Sequence, residues 1–243
     1  MTEEDTKILV GGGIEVAAHL ALPADAAGRP AVILLGEIWG VNAQIRALCK
    51  RLAEAGVSVV APDQYRGITP PSESDPQPTV LGFFDRFDDP AGIRDARACL
   101  DWVLGGGLGV TPGPVYALGF CMGGRFAHYL AAFDQRLAGA VNFYGRLSFA
   151  KQAHLKPFTP LDVAGMIQKP YLGLFGAIDD FIPASDVELL RQEFSARGTP
   201  HHLHVYEGAH HAFFNETRAS YDATTAADAW KKLIGFVRNG KLP

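Results

Sequence analysis

Cysteine is scarce in this sequence, and the features of secreted, membrane-bound or nucleic-acid-binding proteins are lacking. The 243 residues contain three cysteines and no C-x-x-C spacing, which argues against a disulfide framework and favours reduced thiols in the cytoplasm. No apolar run is long enough to span a bilayer, so we expect no membrane association. The formal net charge is −4 and no basic run occurs, so we expect no nucleic-acid partner.

The beginning and the length of the chain point the same way. The first five residues are acidic and polar and lack the basic start and apolar core of a signal peptide, which also favours a cytoplasmic location. The length suits one large domain, since α/β folds of this size are often undivided. No internal repeat and no linker-like boundary interrupts the chain, so we predict a single domain over residues 1–243.

Short apolar segments alternate with amphipathic segments, which predicts an α/β fold with a mostly parallel sheet of about eight strands and helices on both faces. The predicted strands cover residues 7–10, 14–22, 31–35, 57–61, 114–118, 137–143, 171–175 and 202–206. The predicted helices cover residues 43–55, 91–104, 125–133, 186–196 and 221–238. The first two strands should form a hairpin at the sheet edge, and Cys49 and Cys99 fall on helical segments as core thiols.

Residues 67–90 are the one irregular stretch. They are rich in proline and carry Phe83, Phe84 and Phe87 near their end. A loop of this length in a compact domain is usually functional or mobile. We interpret it either as a flap over the substrate or as a plain surface excursion.

Unusual polar residues stand where predicted strands end. They are Glu37, Cys121, Tyr144, Asp179 and His211. Because the carboxyl ends of parallel strands meet at one edge of a sheet, where α/β proteins bind their ligands, we expect a functional site there.

Cys121 lies in a G-x-C-x-G frame between a predicted strand and a predicted helix. This pattern is typical of the nucleophile elbow of α/β-hydrolases, with cysteine in the serine position. Glycines two residues on either side avoid collisions in the strained turn. The backbone amides of Met122 and Ile38 are then the candidate oxyanion hole. The plainer interpretation is a buried structural thiol.

The chain also offers an acid and a base in the order that such hydrolases use. Cys121, Asp179 and His211 follow one another, each after its own predicted strand. His211 would accept the thiol proton, and Asp179 would orient the imidazole. From these residues alone, Asp180 remains an alternative acid. His210 remains an alternative base, because only one of two adjacent residues on an extended segment can face the thiol.

Two further clusters have competing interpretations. His202 and His204 share a strand face next to His201, but no carboxylate or thiol follows at a recognisable ligand spacing, so we predict no metal. Glu37 is either a solvated loop acid or a carboxylate beside Cys121 that opposes thiolate formation.

Four ordered motifs, considered together, resemble those of the dienelactone hydrolase family. They are G-E-I-W-G-V-N (36–42), G-F-C-M-G-G (119–124), G-x-x-D-x-F-I-P (176–183) and G-A-H-H-A-F (208–213). The resemblance runs from about residue 14 to the C-terminal helix. It implies a single-domain α/β-hydrolase fold, no cofactor, and a triad of Cys121, His211 and Asp179. It also implies a neutral resting thiol whose proton passes to Glu37 when substrate arrives.

The resemblance implies a substrate as well. Family members hydrolyse the lactone ring of dienelactones to maleylacetate in the catabolism of chlorinated aromatics. The enzymes that act on the carboxylate-bearing lactone carry an arginine four residues after the catalytic histidine, where this chain has Asn215. A neutral amide does not replace a guanidinium clamp.

Several side chains are candidate substrate contacts. Arg86 would correspond to a second carboxylate-binding arginine of the family, and Arg66 and Arg146 are other possible anchors. Arg218 we interpret as surface charge. The substrate-binding residues predicted for this chain are Trp39, Tyr144, Arg86 and Phe213.

The sequence therefore predicts a cytoplasmic cysteine hydrolase that cleaves a lactone or ester of a small molecule. One alternative is a hydrolase of other small esters or thioesters, which Asn215 favours. Another is a non-catalytic small-molecule binder on the same scaffold. The oligomeric state stays open.

Overall fold

A computed structural model describes residues 1–243, apart from the surroundings of Gly11. Its eight strands are β1 (Thr2–Val10), β2 (Ile14–Leu22), β3 (Ala31–Leu35), β4 (Ser58–Pro62), β5 (Val115–Phe120), β6 (Gly139–Phe143), β7 (Tyr171–Gly176) and β8 (His201–Tyr206). They form one sheet in the order β1-β2-β4-β3-β5-β6-β7-β8. Only β2 runs antiparallel to its neighbours, and the remaining pairs are parallel. The prediction of a mostly parallel sheet of about eight strands is confirmed.

Seven helices accompany the sheet. They are α1 (Ala43–Glu54), α2 (Gln77–Arg86), α3 (Asp89–Leu104), α4 (Met122–Phe133), α5 (Pro160–Val163), α6 (Ala184–Arg197) and α7 (Ala223–Asn239). The five predicted helices are all present, with small shifts at their ends. Polar caps fix two of the starts, since the side chains of Asn42 and Asp88 accept backbone hydrogen bonds from Ile45 and Ala91.

The first strand is longer than predicted. β1 pairs with β2 along its whole length, from Thr2 opposite Leu22 to Val10 opposite Ile14. It is an edge strand whose residues are mostly exposed, so its sequence lacks the apolar run on which the prediction depended. Gly12 and Gly13 connect the two strands with positive φ angles of 80° and 74°.

The stretch predicted to be irregular contains helix α2. Pro78 stands in its first turn, where a missing amide costs no hydrogen bond, so the prolines do not prevent the helix. No α2 residue is fully buried, but Val80, Phe83 and Phe84 pack partly against the core. This stretch is therefore an amphipathic helix resting on the domain, flanked by loops.

The core lies around the central strands. Every residue of β3, β4, β5, β6 and β7 is buried, which explains their continuous apolar sequences. Cys49 and Cys99 are fully buried, as predicted. Helix α4 is almost entirely buried too, and it carries the polar side chains of Arg125 and His128 into the interior.

In the part of the chain that the structure describes, every helix is too short or too polar to span a bilayer.

Candidate active site

Cys121 stands at the junction of β5 and α4 in a strained conformation, with φ 52° and ψ −113°. Its amide donates to the carbonyl of Phe143 over 3.0 Å. A Cβ on Gly119 would lie 1.9 Å from the carbonyl oxygen of Gly123, and a Cβ on Gly123 would lie 1.9 Å from that of Leu35. Only glycine fits at both positions, so local sterics impose the G-x-C-x-G pattern. A strained residue of this kind costs about 1–3 kcal/mol.

His211 and Asp179 form a hydrogen-bonded pair at the same edge of the sheet. His211 follows β8 and donates from Nδ1 to Oδ2 of Asp179 over 2.7 Å. The other carboxylate oxygen accepts from the amide of Phe181 over 2.8 Å, which fixes the carboxylate. The Asp179 side chain is fully buried, whereas the alternative residues Asp180 and His210 are exposed. The structure therefore pairs Asp179 with His211, as the resemblance implies.

The imidazole of His211 lies against Cys121. Burial by itself would lower the pKa of His211, but the charge of the Cys121 sulfur and the hydrogen bond to Asp179 raise it to about 10. The rings of Tyr144 and Phe181 pack edge-on against the imidazole, with centroids 5.2 Å and 5.1 Å away. His211 therefore holds its proton more firmly than an ordinary imidazole does.

Glu37 is buried after β3 and is held at both carboxylate oxygens. Tyr144 donates to Oε1 over 3.2 Å, and Asn215 donates to Oε2 over 2.8 Å. Burial raises the pKa of Glu37, and the hydrogen bond from Asn215 opposes that shift in part. The solvated-acid interpretation of Glu37 is therefore wrong. Sequence reasoning missed the role of Asn215, because no local pattern connects residues so far apart in the chain.

The amides predicted to form an oxyanion hole both belong to residues that line the cavity beside Cys121. No hydrogen bond joins the amide of Ile38 or of Met122 to another residue in the described part of the chain. The hydroxyl of Tyr65 donates to the carbonyl of Ile38 over 2.6 Å and fixes that loop. Tyr65 was not predicted as a site residue, since it stands in a loop after β4 with no motif to mark it.

A cavity of about 370 Å³ opens above Cys121 and His211. Trp39, one of the predicted substrate contacts, lines it, and Phe84 and Phe181 contribute further aromatic walls. Its lining also includes Glu37, Val80, Leu81, Arg125, Arg146, Ala212 and Arg218. Helix α2 thus covers part of the cavity, which favours the flap interpretation of residues 67–90.

Three of the predicted substrate contacts are placed elsewhere. Arg86 lines a separate cavity of about 280 Å³, together with Arg66 and Phe83. Arg86 and Phe84 both belong to α2, but residues two positions apart on a helix point to different sides. Phe84 therefore lines the cavity above Cys121, and Arg86 lines the other cavity. Tyr144 and Phe213 are fully buried, and Phe213 packs on the Tyr144 ring at 5.2 Å. These two residues support the site from below and are not walls of the cavity.

The histidines of β8 lie close together on the last strand of the sheet. The rings of His202 and His204 stack 5.9 Å apart on this edge strand. Among the described residues, no group of three or more histidine, cysteine, aspartate or glutamate side chains could hold a metal ion.

The mostly parallel sheet, together with an elbow between a central strand and a buried helix, defines an α/β-hydrolase fold. The family profile described as "Dienelactone hydrolase family" matches residues 16–240. The chain belongs to the dienelactone hydrolase family, as its motifs predicted, and it is accordingly a carboxylic ester hydrolase.

Individual relatives agree with this assignment. A protein of Escherichia coli O157:H7 named "Putative carboxymethylenebutenolidase" is 35% identical over 231 residues, which cover 93% of this chain and 83% of the relative. A protein of the same name from Methylorubrum extorquens is 32% identical, covering 96% and 80%. The crystal structure titled "Putative Dienelactone Hydrolase from Klebsiella pneumoniae" is 32% identical with a TM-score of 0.88, covering 98% of this chain and 99% of that one.

Proposed function

We propose that this hydrolase cleaves a lactone or a small ester through an acyl-enzyme on Cys121. The observation that carries the proposal is the meeting of three groups at one cavity. The thiol is held at the strained elbow, and the 2.7 Å pair of His211 and Asp179 faces it. A thiol needs such a partner to attack a carbonyl at neutral pH.

In the first step, the Cys121 thiol gives its proton to Glu37, the sulfur attacks the substrate carbonyl, and the carbonyl oxygen becomes an oxyanion. The free amides of Ile38 and Met122 would donate to that oxyanion. When the tetrahedral intermediate collapses, His211 gives its proton to the leaving oxygen, and a thioester to Cys121 remains. In a lactone the leaving oxygen stays attached to the acyl group, because the ring has only been opened.

In the second step, water attacks the thioester and His211 accepts one of its protons. Collapse of the second intermediate releases the carboxylic acid, and the departing thiolate regains its proton from Glu37, which restores the thiol. Asp179 keeps the Nδ1 proton in place throughout, so that Nε2 of His211 remains available to the reacting atoms.

Glu37 is the proposed acceptor of the thiol proton when the substrate arrives, and the resting thiol is neutral. Its raised pKa supports this role, since a buried carboxylate takes up a proton more readily. Both of its oxygens already accept hydrogen bonds, from Tyr144 and Asn215. Transfer from Cys121 therefore requires one of these bonds to be exchanged when the substrate binds.

The lactone is one candidate substrate, and other small esters or thioesters are the second. Asn215 favours the second, because its amide is committed to Glu37 and does not line the cavity. Comparing turnover of a dienelactone with that of a neutral aryl ester separates the two. We also propose a cytoplasmic location, supported by three cysteines that are all free.

The mechanism is tested by Cys121→Ala and by mass spectrometry of the protein quenched during turnover of an ester. We expect a single acyl group on Cys121 in the parent protein and no hydrolysis by the variant. Cys99→Ala, which alters a buried thiol away from the cavity, is the matched control. If Cys121→Ala keeps its ester hydrolysis, the acyl-enzyme mechanism is wrong, and if no ester or thioester is hydrolysed at all, the protein is a binder on this scaffold.

A further inference from the structure

Two arginines in the wall of the catalytic cavity have buried N–H donors that lack a hydrogen-bond partner among the described residues. Arg125 and Arg146 both line the cavity. Arg125 is fully buried, and within the described part of the chain its Nε, Nη1 and Nη2 atoms make no hydrogen bond. The Nε of Arg146 is likewise buried without a partner there. Buried guanidinium groups normally have their donors paired, because removing them from water is costly.

The charges around Arg125 do not balance. Its Nη2 lies 3.1 Å from Oδ1 of Asp89, and Nζ of Lys156 lies 3.6 Å from the same oxygen. Two buried cations therefore share one buried carboxylate. Lys156 gains a further acceptor in the Phe87 carbonyl at 2.7 Å, but Arg125 gains none among the described residues. This side of the cavity carries an excess of positive charge.

The ring of Phe84, on helix α2, lies among these cations. Its centroid is 4.5 Å from the guanidinium carbon of Arg125 and 5.6 Å from that of Arg146, and Nζ of Lys156 is 5.1 Å away. An aromatic face attracts a cation, but it offers no acceptor to the in-plane N–H groups. The buried N–H donors of Arg125 therefore stay unpaired among the described residues and are available to an anion.

Arg218 is the third arginine in the cavity wall, and acidic side chains line the same cavity near it. It lies 3.6 Å from Glu73, and Glu73 and Asp75 line the cavity with it. The excess of positive charge is therefore on the side of Arg125, and an anion is better stabilised there.

We propose that Arg125 and Arg146 form an anion subsite that binds a carboxylate group of the substrate beneath Phe84. A planar guanidinium matches a carboxylate with two parallel hydrogen bonds, and the apolar surroundings strengthen them. The inference rests on the proposed function and adds to it two specificity-determining arginines, neither of which is at the position that Asn215 occupies. Arg125 is one helical turn beyond Cys121, about 6 Å along α4, so the carboxylate lies only a few bonds from the reacting carbonyl.

The test uses two alkylating reagents of similar size that differ in charge, iodoacetate and iodoacetamide. In both, the Cys121 thiolate displaces iodide, and mass spectrometry follows modification of that residue. The variants are Arg146→Gln, Arg125→Met and Arg218→Gln, with Arg94→Gln on the exposed side of α3 as a control for net charge. His211 also attracts iodoacetate, but it is the same in all variants, so the rate ratio between the reagents isolates the arginines.

We expect the iodoacetate to iodoacetamide rate ratio to fall about tenfold in Arg146→Gln and in Arg125→Met, and to stay unchanged in Arg94→Gln. An unchanged ratio in Arg146→Gln overturns the two-arginine subsite. A fall in Arg218→Gln instead places the attraction at the other side of the cavity and also overturns it. If Arg125→Met does not fold, the double variant Asp89→Asn/Arg125→Met removes both members of the ion pair and takes its place.

The outcome is separable from that of the proposed function. Alkylation requires only an accessible thiol and proceeds even if the protein hydrolyses no ester. If Cys121 is essential for hydrolysis but the ratios do not change, the subsite is wrong and the mechanism stands. If the ratios change but Cys121→Ala keeps its hydrolysis, the mechanism is wrong and the anion subsite stands.

Discussion

The side-chain amide of Asn215 donates a hydrogen bond to the buried carboxylate of Glu37 over 2.8 Å. Two hydrogen bonds from Thr217 to Oδ1 fix the amide, so that its nitrogen must face Glu37. The partner is neutral, and it offsets only part of the cost of burying the carboxylate, whose pKa is raised. The residue at the position of a family arginine thus supports Glu37, the proposed proton acceptor.

Asn215→Asp should destabilise the protein in a pH-dependent manner. The change replaces the donor with a second carboxylate, and two adjacent buried carboxylates cannot both ionise without strong repulsion. We expect the free energy of unfolding to fall by about 3 kcal/mol at pH 8. The fall should be smaller at pH 5, because a proton shared by the pair stabilises the folded state and is lost as the pH rises through their raised pKa.

Urea denaturation at the two pH values measures this effect. Adding Glu37→Gln to the variant supplies a new amide donor opposite the introduced carboxylate and should restore most of the stability. Equal loss at pH 5 and pH 8 would show that the damage is steric and unrelated to the Glu37 carboxylate.

Asp179→Asn should change the titration of His211. The Asp179 hydrogen bond and charge help to raise the pKa of this imidazole to about 10, so their removal lowers it and the imidazolium is lost at a lower pH. Ester hydrolysis should fall by about 10⁴-fold, because the tautomer is no longer enforced. NMR of ¹³C-labelled histidine reports the titration directly. Asp180→Asn, at an exposed neighbour, should change activity by less than about twofold.

Gly123→Ala should abolish or severely weaken folding. The new Cβ would lie 1.9 Å from the Leu35 carbonyl oxygen, so the elbow must move against β3. We expect a loss of at least about 3 kcal/mol in the free energy of unfolding. Gly235→Ala is the matched control, because nothing lies within 4 Å of its added Cβ on α7. That variant should gain up to about 1 kcal/mol from helix propensity, and a small loss in both variants would contradict the steric account of the elbow.

Tyr65→Phe should slow catalysis more than its effect on stability suggests. The lost hydroxyl fixes the Ile38 carbonyl and, with it, the proposed oxyanion donor on the same loop. We expect kcat to fall about tenfold with little change in KM, since the displaced donor acts on the transition state. Tyr129→Phe removes a comparable hydrogen bond to Phe158, at 3.1 Å on α4. It should cost a similar free energy of unfolding, about 1 kcal/mol, and leave kcat unchanged.

Much of the fold could be read from local patterns, and the misses have local causes. Buried parallel strands are apolar on both faces, so their sequences identify them. The prediction missed residues Thr2 to Thr6 of β1, because an edge strand is largely exposed and its sequence is not apolar. The prediction also missed helix α2, because its prolines suggested a loop. They stand before and within the first turn, where a helix tolerates them.

The sequence by itself determined the elbow and the order of the reactive groups. The G-x-C-x-G frame follows from steric contacts within a few residues. The carboxyl ends of parallel strands lie at one edge of the sheet whatever the order of the strands, so residues that follow these strands lie at the same edge. Only the tertiary structure decided what surrounds them. In the folded protein Asn215 donates a hydrogen bond to Glu37, and Phe213 is buried. Arg86 lines a separate cavity, whereas the buried Arg125 lines the same cavity as Cys121. The reason is that burial and charge balance depend on neighbours distant in the chain, which no local spacing specifies.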